Sequence, residues 1–312
     1  MPILSRKSTA IERASQPPLE EYWGMNAIAP AEEASQGRRS AWLTTCANPA
    51  CASGWLQIWR SRSSPVFEGG WNCSPECTEH RLRVAVAREL DGRGSVTEPH
   101  RHRVPLGLLM MEQGWITADQ LRNALECQKT NKAGRLGQWL IAREGVSEQQ
   151  VTRALGLQWS CPVLPLEYHD PEGMASLVPR FLLDAFGALP LRVASGKLIY
   201  LGFEHRLDPV LALALKRMSG LRVETGVVQG SQFGPAHARM LQAKFPPVEL
   251  MEAASEPALV RALTRTIERA RPVDARLVRV HDTLWLRMWR KPQTTPVPEV
   301  ASVQDVVCTL VG

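Results

Sequence analysis

The chain has 312 residues, 44% of them hydrophobic, and a formal net charge of +6. That is length enough for two or three domains and apolar content enough for packed cores, which excludes a disulfide-stapled miniature and a wholly disordered chain. No apolar run reaches the roughly eighteen residues a membrane-spanning helix needs, so no membrane span is expected.

Met1 to Gly37 is rich in Ser, Pro, Glu and Ala and lacks the apolar segment of a signal peptide. It reads as a disordered leader over 1–40, with a cytoplasmic location as the expectation. Of the seven cysteines, Cys46 and Cys51 form one close pair and Cys73 and Cys77 a second. In a chain without a secretion signal, paired spacing favours metal over disulfides. Four thiolates suit tetrahedral zinc and leave no open position, so the expected role is structural. Ser74 is a good N-cap and Pro75 a good first helical residue. A helix from there to about Leu90 would place Leu82, Val86 and Leu90 on one face. Trp55–Arg60 and Val66–Asn72 read as two strands before it. Hairpin, cysteine pairs and helix together resemble a treble-clef zinc finger over 41–91, with Cys46, Cys51, Cys73 and Cys77 as ligands. His80, one turn along the helix, is either a substitute ligand or a surface residue.

From His80 to Arg103 the chain carries Arg81, Arg83, Arg88, Arg93, Arg101 and Arg103. Such a run attracts phosphates or anionic lipid. No base-reading pattern accompanies it, so a solvated helix face is the simpler reading and nucleic acid is not expected as the main partner. A Gly/Ser/Pro-rich linker over 92–99 follows.

A repeat then occupies 100–160. Leu106-Gly107 returns as Leu136-Gly137, Thr117 as Ser147, Gln120 as Gln150, Leu121 as Val151, Leu125 as Leu155 and Gln128 as Gln158, all at one offset. Each copy reads as two helices, the second opened by a capping box, Thr117 to Gln120 and Ser147 to Gln150. Duplication at this period means two units that bury each other's apolar faces.

The Arg-Leu-Gly start, the glycine, and the Leu, Leu and Gln that follow at fixed spacing resemble the amino-terminal domain of type II secretion and type IV pilus assembly ATPases. In one branch this tandem motif is the cyclic di-GMP-binding module called MshEN. The resemblance implies a ligand site built from Leu106, Gly107, Met110, Gly114, Leu121, Leu125 and Gln128 in copy one. Copy two would add Arg135, Leu136, Gly137, Leu140, Val151, Leu155 and Gln158. A Leu-Gly helix start would present bare backbone N–H groups to a phosphate, and the arginine would add charge and stack on guanine. The pattern departs in two places. Pro105 stands where the family has its first Arg, with Arg103 two residues earlier, and copy two has Glu144 at the glycine position with Gly145 one place later.

Downstream, 161–245 reads as a small ααββαβα subdomain with a hairpin across Ser195-Gly196, similar to the second half of the same ATPase domain. The part over 250–312 reads as a helix, Ala258 to Arg271, and a hairpin, Ala275–His281 with Thr283–Arg290. It resembles, more distantly, the start of the next ATPase domain. No Gly-x-x-x-x-Gly-Lys-Ser/Thr occurs, so ATP hydrolysis is not expected. HExxH and Gly-x-Ser-x-Gly are absent too.

The expectation is an α+β, non-enzymatic regulator or adaptor. It would bind cyclic di-GMP and structural zinc, and its partner would be a secretion or pilus inner-membrane platform protein or a cognate ATPase. The rivals are a docking module that binds no nucleotide and a zinc-dependent nucleic-acid binder.

Overall fold

The computed structural model describes residues 45–52, 65–91, 103–167, 169–206 and 208–311. The predicted leader, the strand predicted over 55–60 and the linker predicted over 92–99 lie outside them. Across the described residues the fold is α+β, with helices and mixed sheets.

The cysteine-bearing part opens on a turn in which Asn48 accepts hydrogen bonds from Ala50 N through its side chain and from Cys51 N through its carbonyl, both at 3.0 Å. Strands β1 (Val66–Phe67) and β2 (Gly70–Trp71) pair antiparallel. The single strand expected over Val66–Asn72 is therefore a tight hairpin. Glu68 and Gly69 both take positive φ, 46° and 69°, the two-residue turn whose twist matches that of paired strands. Helix α1 (Pro75–Asp91) starts where Ser74 accepts from Cys77 N at 3.3 Å. Leu82, Ala85 and Val86 are buried along one face.

The repeat forms four helices: α2 (Leu106–Glu112), α3 (Ala118–Asn131), α4 (Leu136–Glu144) and α5 (Glu148–Trp159). Both capping boxes form as the spacing requires: Gln120 and Gln150 N–H donate to Thr117 and Ser147, whose own N–H groups donate back to the glutamine carbonyls. The packing is exchanged between copies, with α3 against α4 and α5 against α2. Met110, Ala124, Leu140 and Ala154 are fully buried at the centre.

The next part follows the expected ααββαβα order: α6 (Pro171–Met174), α7 (Arg180–Phe186), β3 (Ala188–Ala194), β4 (Leu198–Phe203), α8 (Pro209–Ser219), β5 (Arg222–Val227) and α9 (Gly230–Gln242). Strands β3 and β4 form the hairpin, and β4 pairs parallel with β5 through the α8 crossover. Positive φ at Ser195 and Gly196, 50° and 65°, makes the turn.

The final part holds more than the expected helix and hairpin. Strands β6 (Val248–Ala253) and β9 (Val303–Leu310) join β7 (Asp274–Val280) and β8 (Thr283–Trp289) in a four-stranded sheet of order β6-β9-β8-β7, with α10 (Glu256–Ala270) between β6 and β7. Both faces of this sheet are covered. Leu284, Leu286 and Met288 of β8 share a core with α10 and α1, while Trp285 and Trp289 face the core of the 161–245 part. Between the two, Arg287 and Asp305 form a buried bidentate pair at 2.7 and 2.8 Å. Arg287 also donates to Leu177 O and Trp285 to Asp305, both at 2.8 Å.

Candidate functional site

Most of the apolar residues assigned to the ligand by resemblance form the core of the tandem unit. Met110 and Leu140 are fully buried and Val151 nearly so, and Leu106, Leu121, Leu136 and Leu155 pack against the same cluster. Gly107 and Gly137 are buried as well. A Cβ on Gly107 would lie 2.5 Å from Leu121 Cδ1, and one on Gly137 2.7 Å from Val151 Cγ1. The glycines therefore serve first to bring the two helices of each copy together, not to bare a helix start for phosphate as the sequence reading had it. Gly114 and Gly145, one place out of register, do the same job in each copy: each takes positive φ, 68° and 64°, where its first helix turns back.

The polar residues of the motif keep the two-fold relation. Gln128 Nε2 donates to Gly134 O at 3.1 Å, and Gln158 Nε2 donates to Val104 O at 2.9 Å. Each glutamine thus fixes the residue two places before a Leu-Gly start, across the α3–α4 and α5–α2 contacts. Arg135 sits at the N-cap of α4 in an extended conformation, its own N–H held by Gln138 Oε1 at 2.9 Å, and its side chain is exposed. Arg103 does not reproduce this geometry. Its guanidinium stacks 3.3 Å from the centre of the Trp159 ring at the end of α5. Leu125 stays 38% exposed beside Gln128, so the solvent-facing motif residues are Gly114, Leu125 and Arg135, with the two glutamines half-buried.

The sequence reading missed two carboxylates at the start of α9. Glu148, in the first turn of α5, accepts from Gln229 Nε2 and from Ser231 N, each at 2.7 Å, and so seats a carboxylate at the start of α9. Burial works to raise its carboxyl, but these donors hold it below the ordinary value. Glu204, just past β4, accepts from or pairs with His205 at 2.8 Å. A Cβ on Gly230 would lie 2.9 Å from Glu204 Oε1 and 3.3 Å from Glu148 Oε1, so both carboxylates close over α9. Burial raises the Glu204 carboxyl. Arg135 and His237 act against that rise and Glu148 adds to it. Arg135, His237 and Glu148 thus all act on the Glu204 carboxyl, where the tandem unit joins the 161–245 part. No motif spacing signals this, because Glu204 is far from the repeat in sequence.

The four predicted metal ligands do converge. The sulfurs of Cys46, Cys51, Cys73 and Cys77 all lie within 4.8 Å of one another. The separations from Cys73 to Cys51 and to Cys77 are 3.5 and 3.6 Å. A zinc–sulfur tetrahedron with bonds of about 2.3 Å has edges near ~3.8 Å, so the donor set and its spacing fit a zinc ion. Burial pushes the Cys46 thiol up; a cation reverses that preference by stabilising thiolates. His80 is not in the cluster. The α1 arginines are engaged within the chain: Arg81 donates to Gly70 O and Asn72, Arg83 to Glu79, and Arg88 to Glu68. Arg93 and Arg101 of that run lie outside the described residues. Among the described residues, no helix is long and apolar enough to cross a membrane.

No family model matches the chain. Bacteriophage adsorption protein B of Escherichia coli (strain K12) is 28% identical over 169 residues, which is 53% of this chain and 22% of that protein. Bacteriophage N4 adsorption protein B of Escherichia coli O157:H7 is similar to the same extent. The match thus spans about a fifth of the length of these relatives. Among solved structures, MshE with cdg is 26% identical, covering 44% of this chain and 99% of that one, with a TM-score of 0.37. The N-terminal domain of XpsE is 19% identical, covering 43% of this chain and 92% of that one, with a TM-score of 0.31. Each of these structures matches less than half of this chain.

Proposed function

We propose that this chain is a non-enzymatic regulator that binds cyclic di-GMP at the tandem unit and carries a structural zinc ion in its cysteine cluster. The observations that carry the reading are the exposed Arg135 at the start of α4, which lowers the Glu204 carboxyl, and the two-fold bracing by Gln128 and Gln158. An arginine fits a phosphate or the O6 and N7 acceptors of guanine, and a carboxylate fits the N–H donors on the opposite edge of that base. Leu125, 38% exposed on α3, supplies an apolar surface on the tandem unit. A ligand with two guanines and two phosphates suits a paired motif better than a mononucleotide does.

The site would be lopsided. Pro105 offers copy one no guanidinium, and Arg103 is stacked on Trp159, so copy two carries the charge. The chain would act in the cytoplasm, passing ligand occupancy to a secretion or pilus platform protein or to a cognate ATPase. Calorimetric titration of the whole chain with cyclic di-GMP, and separately with GMP, tests this. Saturable micromolar or tighter binding of the cyclic dinucleotide with none of GMP is expected; equal binding of both, or of neither, refutes it. If neither binds while a platform protein is captured in the absence of nucleotide, the docking reading takes its place.

A further inference from the structure

The cysteine cluster does not belong to a free-standing finger. Its second pair sits at the start of α1, and α1 is a layer of the C-terminal sheet. Leu82 and Val86 are fully buried in one core with Leu263, Ile267, Leu277 and Leu286. Phe67, from the hairpin between the cysteine pairs, is buried in the same core. Thr78, one residue past Cys77, donates to Glu268 of α10 at 2.7 Å. On the hairpin side, Val66 N donates to Pro272 O at 3.0 Å and Glu68 N to Ala275 O at 2.7 Å, along the edge of β7.

The far end of α1 is tied just as firmly. Glu89 is buried, and both its carboxylate oxygens accept from Arg217 of α8. It also accepts from Arg279 N of β7 at 3.1 Å. Helix α1 therefore runs as a strut from the four sulfurs to α8, crossing α10 and β7 on the way. Among the described residues, the cysteine-bearing part before α1 adds to the apolar cores only Phe67 and the small cluster around Trp71, so the position of the strut's first turn depends on what gathers the sulfurs.

We propose that the cysteine cluster is a metal-operated clamp on the C-terminal sheet. Zinc fixes the first turn of α1 and so keeps α1 seated on α10, β7 and α8. Without the ion α1 loosens, and the apolar face of α10 and the outer edge of β7 are uncovered. The inference rests on the zinc reading given above and is independent of nucleotide binding.

Hydrogen exchange on the whole chain tests it, with zinc content measured in the same samples before and after EDTA. On zinc removal, protection is expected to fall about tenfold or more in α1 and also in α10 and β7, while α2–α5 keep theirs. Loss confined to 45–91 overturns the clamp but leaves the zinc site standing. A chain that is folded yet holds no zinc as purified, or after zinc is added, overturns both. Glu89→Gln gives a second arm that spares the sulfurs. It is expected to retain zinc while weakening protection at the α8 and β7 end of the strut; unchanged protection there counts against α1 as the transmitting element.

Discussion

Arg135 and Glu204 show how residue type and placement divide the work. The motif fixes Arg135 by sequence, but the carboxyl it acts on, Glu204, lies just past β4. Replacing Arg135 with Ala removes a charge-assisted contact, about 1.5–3 kcal/mol or roughly ten- to a hundredfold in affinity, with little effect on folding because the side chain is exposed. The buried glycines behave in the opposite way. Ala at Gly137 would press on Val151, whose β-branched side chain has little rotamer freedom in a helix. Crowding of about 1–3 kcal/mol should outweigh the ~1 kcal/mol gain in helix propensity. Ala at Gly107 meets the end of Leu121, which can swing aside, so that variant should be close to neutral. Denaturant midpoints of the two variants, compared directly, check the ordering; equal or reversed effects would mean that the glycines are not packing residues.

At the scale of elements, the repeat was legible because its signals are local. Thr117 with Gln120 and Ser147 with Gln150 lie three residues apart, and helix starts depend on little else. Ser74 and Pro75 announced α1 for the same reason. The hairpin within Val66–Asn72 was read as one strand although Gly69 and Gly70 mark the turn, because its first turn position, Glu68, takes positive φ without being Asn or Gly. Nor was the exchange of helices between copies, because Gln128 to Gly134 and Gln158 to Val104 are side-chain bonds that spacing does not specify. Met110, Leu140 and Val151, assigned to the ligand by resemblance, are buried in the core of the tandem unit. A periodic apolar residue in a duplicated unit is placed first by the core it shares with its twin, and the surface left over is what a ligand meets.

At the scale of the molecule, β6 and β9 escaped notice because they pair in parallel across about fifty residues, and long-range pairing leaves no trace in local pattern. Strand β8 is buried on both faces, so polar residues do not alternate along it. The exception, Arg287, is matched by Asp305 with every contact satisfied. Asp305→Ala leaves that guanidinium buried without its partner and should cost about 3–5 kcal/mol, read as a fall in the unfolding midpoint. Glu89 gives the chain an acid sensitivity of definite sign. Burial alone would raise its carboxyl, but Arg217 and Arg88 bring it below the ordinary value. Its contribution is therefore complete above the carboxylate range of the unfolded chain and is lost as pH falls through the lowered folded value. Glu89→Gln should be less stable than the native chain near neutrality and show a shallower loss on acidification; parallel stability–pH curves would contradict that assignment. The tandem unit stands apart from both effects, and what it binds is the central claim. Paired calorimetric titrations of the native chain and Arg135→Ala with cyclic di-GMP test it most directly. Saturable binding to the native chain, weakened at least about tenfold in the variant, is the expected result; a flat titration of folded native protein, or identical isotherms for the two, would contradict it.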